Sequence, residues 1–107
     1  MNEMQYYLTK MAEEASEVTK IALKTSQFGM DSACPVEPEA NTNRQLLHKE
    51  LDDLFATIHV LNEKHGLGYE LSQVGVQCKV EKMKHYIGVS ASLGLVTLTP
   101  EKETPHV

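Results

Sequence analysis

Two stretches of this chain repeat apolar residues every three or four positions, and this periodicity constrains the fold more than any other feature of the sequence. In the first stretch, from Asn2 to about Phe28, the repeating residues are Met4, Leu8, Met11, Ala15, Val18, Ile21 and Ala22. This spacing is typical of an α-helix with one apolar face. Gly29 follows and predicts the end of the helix, because glycine readily adopts the backbone conformations that terminate helices.

The second stretch predicts a second amphipathic helix. Its apolar positions are Leu47, Leu51, Leu54, Ile58 and Leu61. Asn41, Thr42 or Asn43 can cap its start, and the glycines of HGLG at residues 65–68 mark its end. The segment between the two helices, GMDSACPVEPEANTN, is rich in proline and small polar residues, so we expect a long loop there, of a kind that often carries function.

A third helical segment is predicted from about Glu70 to Ile87. Its apolar positions are Leu71, Val74, Cys78, Met83 and Tyr86. After Gly88 the β-branched alternation of LVTLT predicts a short extended arm, followed by a polar, partly mobile tail. The expected fold is therefore all-α. We expect an antiparallel helical bundle over residues 1–88, completed by oligomerisation, and a C-terminal arm or tail over residues 89–107.

Composition and charge narrow the classes of partner. With 107 residues the chain is expected to form one domain, small enough to gain from burying surface against a partner subunit. Its formal charge of −5 and its single arginine, Arg44, argue against a nucleic acid polymer, which requires clustered basic residues. No membrane-spanning run or secretory signal is recognisable, so a cytoplasmic location is expected. Cys34 and Cys78 lack metal-binding or redox spacing and are predicted to be free thiols.

Acidic residues occur inside both amphipathic stretches, in EEASE at residues 13–17 and in ELDD at residues 50–53. Because each helical residue advances by about 100°, its position relative to the apolar stripe can be calculated. Glu14 lies roughly 60–70° from the centre of the first stripe and Glu17 roughly 120–130° on the same side, whereas Glu13 lies nearly opposite. Glu13 is therefore predicted to be exposed to solvent.

The second helix repeats this arrangement. Glu50 lies roughly 60–70° from the centre of its stripe and Asp53 roughly 120–130° on the same side, whereas Asp52 faces away. A single such pair usually marks only the solvent-exposed boundary of the apolar face of a helix. Two pairs brought together across packed helices repel one another unless cations lie between them, and a cluster of oxygen ligands suits Mg²⁺ better than zinc.

The pattern E-E-x-x-E at residues 13–17, followed by E-x-x-D at residues 50–53, resembles the signature of the MazG-like, all-α nucleoside triphosphate pyrophosphohydrolases. That superfamily includes dimeric dUTPases, dCTPases and phosphoribosyl-ATP pyrophosphohydrolases. The resemblance implies four ligands for Mg²⁺, namely Glu14, Glu17, Glu50 and Asp53. Helical phase selects the same four residues. The resemblance extends over about residues 4–87.

Family members often place a lysine-rich segment in the third helix, where it meets the substrate phosphates, and this chain has KVEKMK at residues 79–84. Lys79 and Lys82 share a face and are implied to bind phosphate, whereas Lys84 is rotated about 160° from the midpoint of that pair. The arginine or asparagine that often follows in the family is missing. The alternative is that these lysines only form a solvated helix surface.

By resemblance, the reaction is Mg²⁺-dependent hydrolysis of the bond between the α- and β-phosphates of a (d)NTP, which gives a nucleoside monophosphate and pyrophosphate. Mn²⁺ is expected to substitute for Mg²⁺. Glu17 is the first candidate for the general base that accepts a proton from water. The resemblance also implies a homodimer or homotetramer. Two alternatives stay open: a narrow specificity for dUTP, dCTP or phosphoribosyl-ATP, and a non-catalytic helical module for dimerisation or interaction.

Recognition of the nucleobase of the substrate is expected to involve residues outside the carboxylate cluster. Candidates are the loop at residues 29–43 and, near the start of the first helix, Gln5, Tyr6 and Tyr7. Aromatic residues at the start of an amphipathic helix more often pack or form an interface than stack on a base. The five histidines have no ligand-like spacing, and none is predicted to be catalytic.

Overall fold

The computed structural model describes residues 1–37 and 40–100. In order along the chain the helices are α1 (Glu3–Phe28), α2 (Asn43–His65) and α3 (Gln73–Ser92). No β-strand occurs within the described residues, so the all-α prediction is confirmed for that part of the chain. None of the three helices combines the length and the apolar character needed to cross a membrane.

Polar side chains start α1 and α2 in the same way. The side chain of Asn2 accepts a hydrogen bond from the backbone N–H of Gln5, whose own side chain accepts one from the backbone of Asn2. Thr42 and Gln45 form the same reciprocal pair at the start of α2. These capping boxes satisfy backbone donors that a helix start otherwise leaves without a partner. They place both starts where the sequence predicts them.

Glycines end both helices, as predicted. Gly29 has a φ of 95° and donates its backbone N–H to the carbonyl of Thr25. Gly66 follows α2 in the left-handed conformation, with a φ of 67°, and donates to the carbonyl of Leu61. Both φ values are ones that residues with a side chain rarely adopt.

Helices α1 and α2 form an antiparallel hairpin. At one end, His65 in the last turn of α2 contacts Glu3 in the first turn of α1. At the other end, the side chain of Asn43, which is 1% exposed, donates a hydrogen bond of 2.9 Å to the carbonyl of Gly29. Ile21 from α1 and Leu61 from α2 are the buried apolar residues among those described. The hairpin therefore has a small core.

The chain divides into two compact units, residues 1–69 and residues 70–107. In the second unit, Ser72 caps α3 by accepting a hydrogen bond from the backbone N–H of Gly75. The helix continues through Gly88 to Ser92, five residues beyond the predicted end at Ile87. Gly88 does not end the helix because a glycine inside a helix costs only about 1 kcal/mol.

No residue of α3 is buried. Its largest exposed apolar side chains, at 41–75% exposure, are Val74, Val76, Met83, Tyr86, Ile87 and Val89. Residues 96–100 of the expected arm have no regular secondary structure, and residues 101–107 of the expected tail lie outside the described residues. Cys34 and Cys78 are free thiols, as predicted, and both are exposed.

Candidate metal centre

Three carboxylates from two helices come together on one flank of the hairpin. Glu14 of α1 and Glu50 and Asp53 of α2 each have a carboxylate oxygen within 4.8 Å of the others. All three residues are partly buried. The two α2 residues are three positions apart and so share a face, while the antiparallel partner helix supplies the third. We call these residues the acidic triad.

The neighbouring acidic residues lie where helical phase predicts them. Glu13 is exposed, and its carboxylate is 3.0 Å from the ammonium group of Lys10. Asp52 is also exposed. Helical phase therefore separates the carboxylates that face solvent from those that meet across the hairpin.

Glu17 is the predicted ligand that the triad does not include. Its side chain is exposed, and it lines an adjoining groove together with Glu50. It lies farther from the apolar stripe than Glu14 does, by roughly 60° around the helix. The predictions that Glu17 binds metal and acts as the general base stay predictions.

Lys49 contributes a cation that was not part of the predicted site. Its Nζ lies 2.8 Å from Asp53 Oδ2 and 3.9 Å from Glu50 Oε1. The hydrogen bond to Asp53, the charges of Asp53 and Glu50 and, more weakly, that of Glu14 raise the pKa of Lys49 above its ordinary value. The spacing of Lys49 and Asp53, four residues apart on one helix, could have revealed this contact in the sequence.

The donor set of the acidic triad fits Mg²⁺ or Mn²⁺. It offers carboxylate oxygens alone, with no histidine or cysteine among the described residues of the group. Mg²⁺ prefers oxygen ligands and retains several waters, so three carboxylates on a partly exposed flank suffice for it. Lys49 is 63% exposed and sits on a long flexible side chain, so it can leave the carboxylates when a divalent ion competes for them.

A groove of about 460 Å³ runs from the triad toward the start of α1, and we call it the aromatic groove. It is lined by Tyr6, Tyr7, Lys10, Glu14, Asp53, Ala56, Thr57 and Val60. The rings of Tyr6 and Tyr7 meet edge to face at 5.4 Å, and Tyr7 also lies 5.9 Å from the ring of His65. The pKa of Lys10 is raised by its hydrogen bond to Glu13 and by the charge of that carboxylate.

A smaller groove of about 150 Å³ lies on the other side of the triad, and we call it the lysine groove. It is lined by Glu17, Lys20, Ile21, Lys24, Leu46 and Glu50. Glu50 thus belongs both to the triad and to this groove. Neither groove follows from the sequence, because each depends on how closely α1 and α2 approach.

The predicted phosphate-binding residues Lys79 and Lys82 lie on α3 and are exposed. Lys84, which was expected to point elsewhere, lies 3.7 Å from Glu81. These residues belong to the second unit, whereas the acidic triad belongs to the first. Their role in binding phosphate stays a prediction.

Comparison with protein-family models, with curated proteins and with solved structures found no match to this chain. The resemblance to the MazG-like pyrophosphohydrolases therefore stands on the acidic motifs and the lysine-rich segment, and what it implies about activity is a proposal.

Proposed function

We propose that this chain is a Mg²⁺-dependent nucleotide pyrophosphohydrolase of the MazG-like class, which cleaves (d)NTPs to nucleoside monophosphate and pyrophosphate. One observation carries the proposal: Glu14, Glu50 and Asp53, which helical phase selects from the sequence, have carboxylate oxygens within 4.8 Å of one another. The all-α fold and the two grooves beside the triad are compatible with it.

The proposed chemistry divides between the ion and the side chains. When bound, Mg²⁺ offsets negative charge on phosphate oxygens and lowers the pKa of a water molecule. Glu14, Glu50 and Asp53 would hold the ion, and the ammonium group of Lys49, which pairs with Asp53, would give way to it. Glu17 accepts the proton of the attacking water while the oxygen of that water bonds to the α-phosphorus. The bond from the α-phosphorus to the bridging oxygen then breaks, and pyrophosphate leaves.

The exposed apolar side chains of α3 support a homo-oligomer. A helix with no buried residue gains little from tertiary packing, which supplies most of the stability of helices in proteins. We propose a homodimer or homotetramer in which a second copy covers this surface. In that assembly Lys79 and Lys82 contact the substrate phosphates, and the protein works in the cytoplasm.

Two narrower specificities are alternatives within the same reaction class. One is for dUTP or dCTP, and the other is for phosphoribosyl-ATP. An alternative from another class is a helical dimerisation module without catalytic activity. Lys49 favours that alternative, because its ammonium group compensates Asp53 and Glu50 in the absence of a metal ion. Acidic groups at a protein surface are common without a bound ion, and ion pairs of this kind contribute little to stability.

Product analysis separates these functions. Purified protein is incubated with Mg²⁺ and a panel of common and modified (d)NTPs and phosphoribosyl-ATP, and released pyrophosphate and monophosphate are quantified. We expect both products in equal amounts from at least one substrate, with activity lost on chelation and restored by Mg²⁺ or Mn²⁺. Folded protein that releases pyrophosphate from no member of the panel contradicts the proposed function and favours the interaction module.

A further inference from the structure

The aromatic groove, the acidic triad and the lysine groove lie along one face of α1. Residues from all three recur on this helix at intervals of three or four, namely Tyr7, Lys10, Glu14, Glu17, Ile21 and Lys24. Positions with this spacing share one helix face. On α2, Val60, Asp53 and Leu46 line the same series of sites in the opposite chain direction. The two grooves therefore form a single track with the triad between them.

The two ends of this track differ in chemistry. The aromatic end presents Tyr6, which is 49% exposed, and the partly buried Tyr7. The opposite end presents the exposed Lys20 and Lys24, and neither is ion-paired with another of the described residues. One end is therefore suited to a planar ring and the other to an anion.

The spacing along α1 places these ends at comparable distances from the triad. Tyr7 precedes Glu14 by seven residues, about 10 Å along the helix axis, and Lys20 follows it by six, about 9 Å. Long lysine side chains can extend along a helix surface, so Lys24 can contact the same part of a ligand as Lys20. A ligand that spans the track then has its middle at the carboxylates.

We infer that the track binds a nucleoside triphosphate in one direction, with the base against Tyr6 and Tyr7 and the two terminal phosphates at Lys20 and Lys24. The inference rests on the proposed function and adds the direction of the substrate. Tyrosine rings stack on any base, and ammonium groups pair with phosphate oxygens. The reverse direction places the base between Lys20 and Lys24, in a groove that has no aromatic residue in its lining. It also places the terminal phosphates beside Lys10, the one cation lining the aromatic groove, which is already paired with Glu13.

Binding of the two products, measured separately by titration calorimetry with Mg²⁺ present, tests this direction. The probes are inorganic pyrophosphate and the nucleoside monophosphate of the substrate that the wild type hydrolyses best. We expect Tyr6→Leu to weaken monophosphate binding about fivefold, the range of one aromatic contact, and to leave pyrophosphate binding within about twofold. The double variant Lys20→Gln with Lys24→Gln should weaken pyrophosphate binding about tenfold or more and spare the monophosphate.

Conservative variants separate binding roles from structural ones. Tyr6→Phe keeps the ring and should restore monophosphate binding, and Lys20→Arg with Lys24→Arg should restore pyrophosphate binding. Lys64→Gln with Lys84→Gln is the matched control, because both residues are exposed and the change in net charge is the same. Circular dichroism confirms that each variant keeps its helix content.

The possible failures are distinguishable. If the wild type hydrolyses a nucleotide but both variants weaken both products alike, or the pattern is reversed, or binding is unchanged, the direction is wrong and the proposed function stands. If the wild type releases pyrophosphate from no substrate on the panel, the proposed function and the direction are overturned together.

Discussion

The α1–α2 hairpin and helix α3 begin with similar local signals but differ in how much they bury. Asn2, Thr42 and Ser72 each cap a helix with a side-chain oxygen. The hairpin buries Ile21 and Leu61, whereas α3 has no buried residue. Capping thus specifies where a helix starts in both units, but only in the hairpin does packing within the described unit contribute to its stability.

The difference also separates two kinds of candidate site. The acidic triad is held by packing between two helices, so its geometry is defined within one unit. Lys79 and Lys82 share one face of a single helix. The groups that they contact therefore depend on what packs against α3. Substitutions in the hairpin are therefore compared with substitutions in α3.

The largest difference is expected for the core. Leu61→Ala removes the least exposed apolar side chain and should lower the free energy of unfolding by about 2–5 kcal/mol, because it leaves a cavity. Ile87→Ala in α3, where the side chain is 46% exposed, should change it by less than about 0.5 kcal/mol in dilute protein. Urea denaturation followed by circular dichroism measures both.

Repeating the Ile87→Ala titration at higher protein concentration tests the proposed oligomer. If a second copy covers α3, stability rises with concentration in the wild type and less so in the variant. A large effect of Ile87→Ala in dilute monomer contradicts the contrast between the units.

The second-largest effect is expected for the stabilisation of the protein by Mg²⁺. Saturating Mg²⁺, at about a hundredfold above its Kd, should stabilise the wild type by about 2.7 kcal/mol through binding to the folded state. Glu50→Gln removes one triad carboxylate and should abolish this stabilisation and lower hydrolysis by about a hundredfold or more. Lys82→Gln in α3 should lower hydrolysis but leave the Mg²⁺ effect intact. Thermal denaturation with and without Mg²⁺ supplies the comparison.

Asp52→Asn is the control for Glu50→Gln, because Asp52 is exposed on the same helix and the change in charge is identical. Equal responses to Mg²⁺ in Asp52→Asn and Glu50→Gln would show nonspecific binding to acidic surface and would remove the support for a metal centre.

Loss of the helix caps should give a smaller effect. Thr42→Ala removes one half of the capping box of α2 and should cost about 1 kcal/mol of the free energy of unfolding. Ser72→Ala should reduce protection of backbone amides at the start of α3 and leave the unfolding of the hairpin unchanged. Hydrogen exchange resolved by residue measures both, and loss of protection in α1 on Ser72→Ala would show that the units are coupled.

The smallest expected change is at the lysines. Lys49→Gln removes the ammonium group that competes for Asp53, so Mg²⁺ should bind about two- to fivefold more tightly. Lys84→Gln, whose partner Glu81 lies outside the triad, should leave Mg²⁺ affinity unchanged. Calorimetric titration with Mg²⁺ gives both values, and weaker binding in Lys49→Gln would mean that Lys49 supports the metal centre.

The sequence predicted the hairpin well because its signals are local. Asn2 and Gly29 bound α1, and Thr42 is one of the three predicted caps of α2. Helix α3 ends later than predicted because Gly88 was interpreted as the residue that ends it. Gly88 lies inside the helix, and the glycine with a positive φ that follows α3 is Gly94. A glycine does not show from sequence alone which backbone conformation it adopts.

Helical phase was sufficient to select Glu14, Glu50 and Asp53, because an antiparallel hairpin brings matching flanks together. It could not show that Glu17 lies beside the triad and not within it, since that depends on the distance between the helices. The contact of Lys49 was missed for another reason: only carboxylates were compared, although the four-residue spacing was visible.

The buried Asn43 has a consequence for how the loop before α2 can vary. Its side chain ties the start of α2 to the carbonyl of Gly29, and its backbone N–H donates to the carbonyl of Ser32. The alignment of α1 against α2 is thereby fixed at the base of the loop, where the chain leaves one helix and enters the other. Lengthening a loop raises the entropic cost of closing it only slightly, by about 0.6 kcal/mol for each doubling of its length. Residues 33–37 can therefore be exchanged or extended without shifting Glu14 relative to Asp53 along the hairpin.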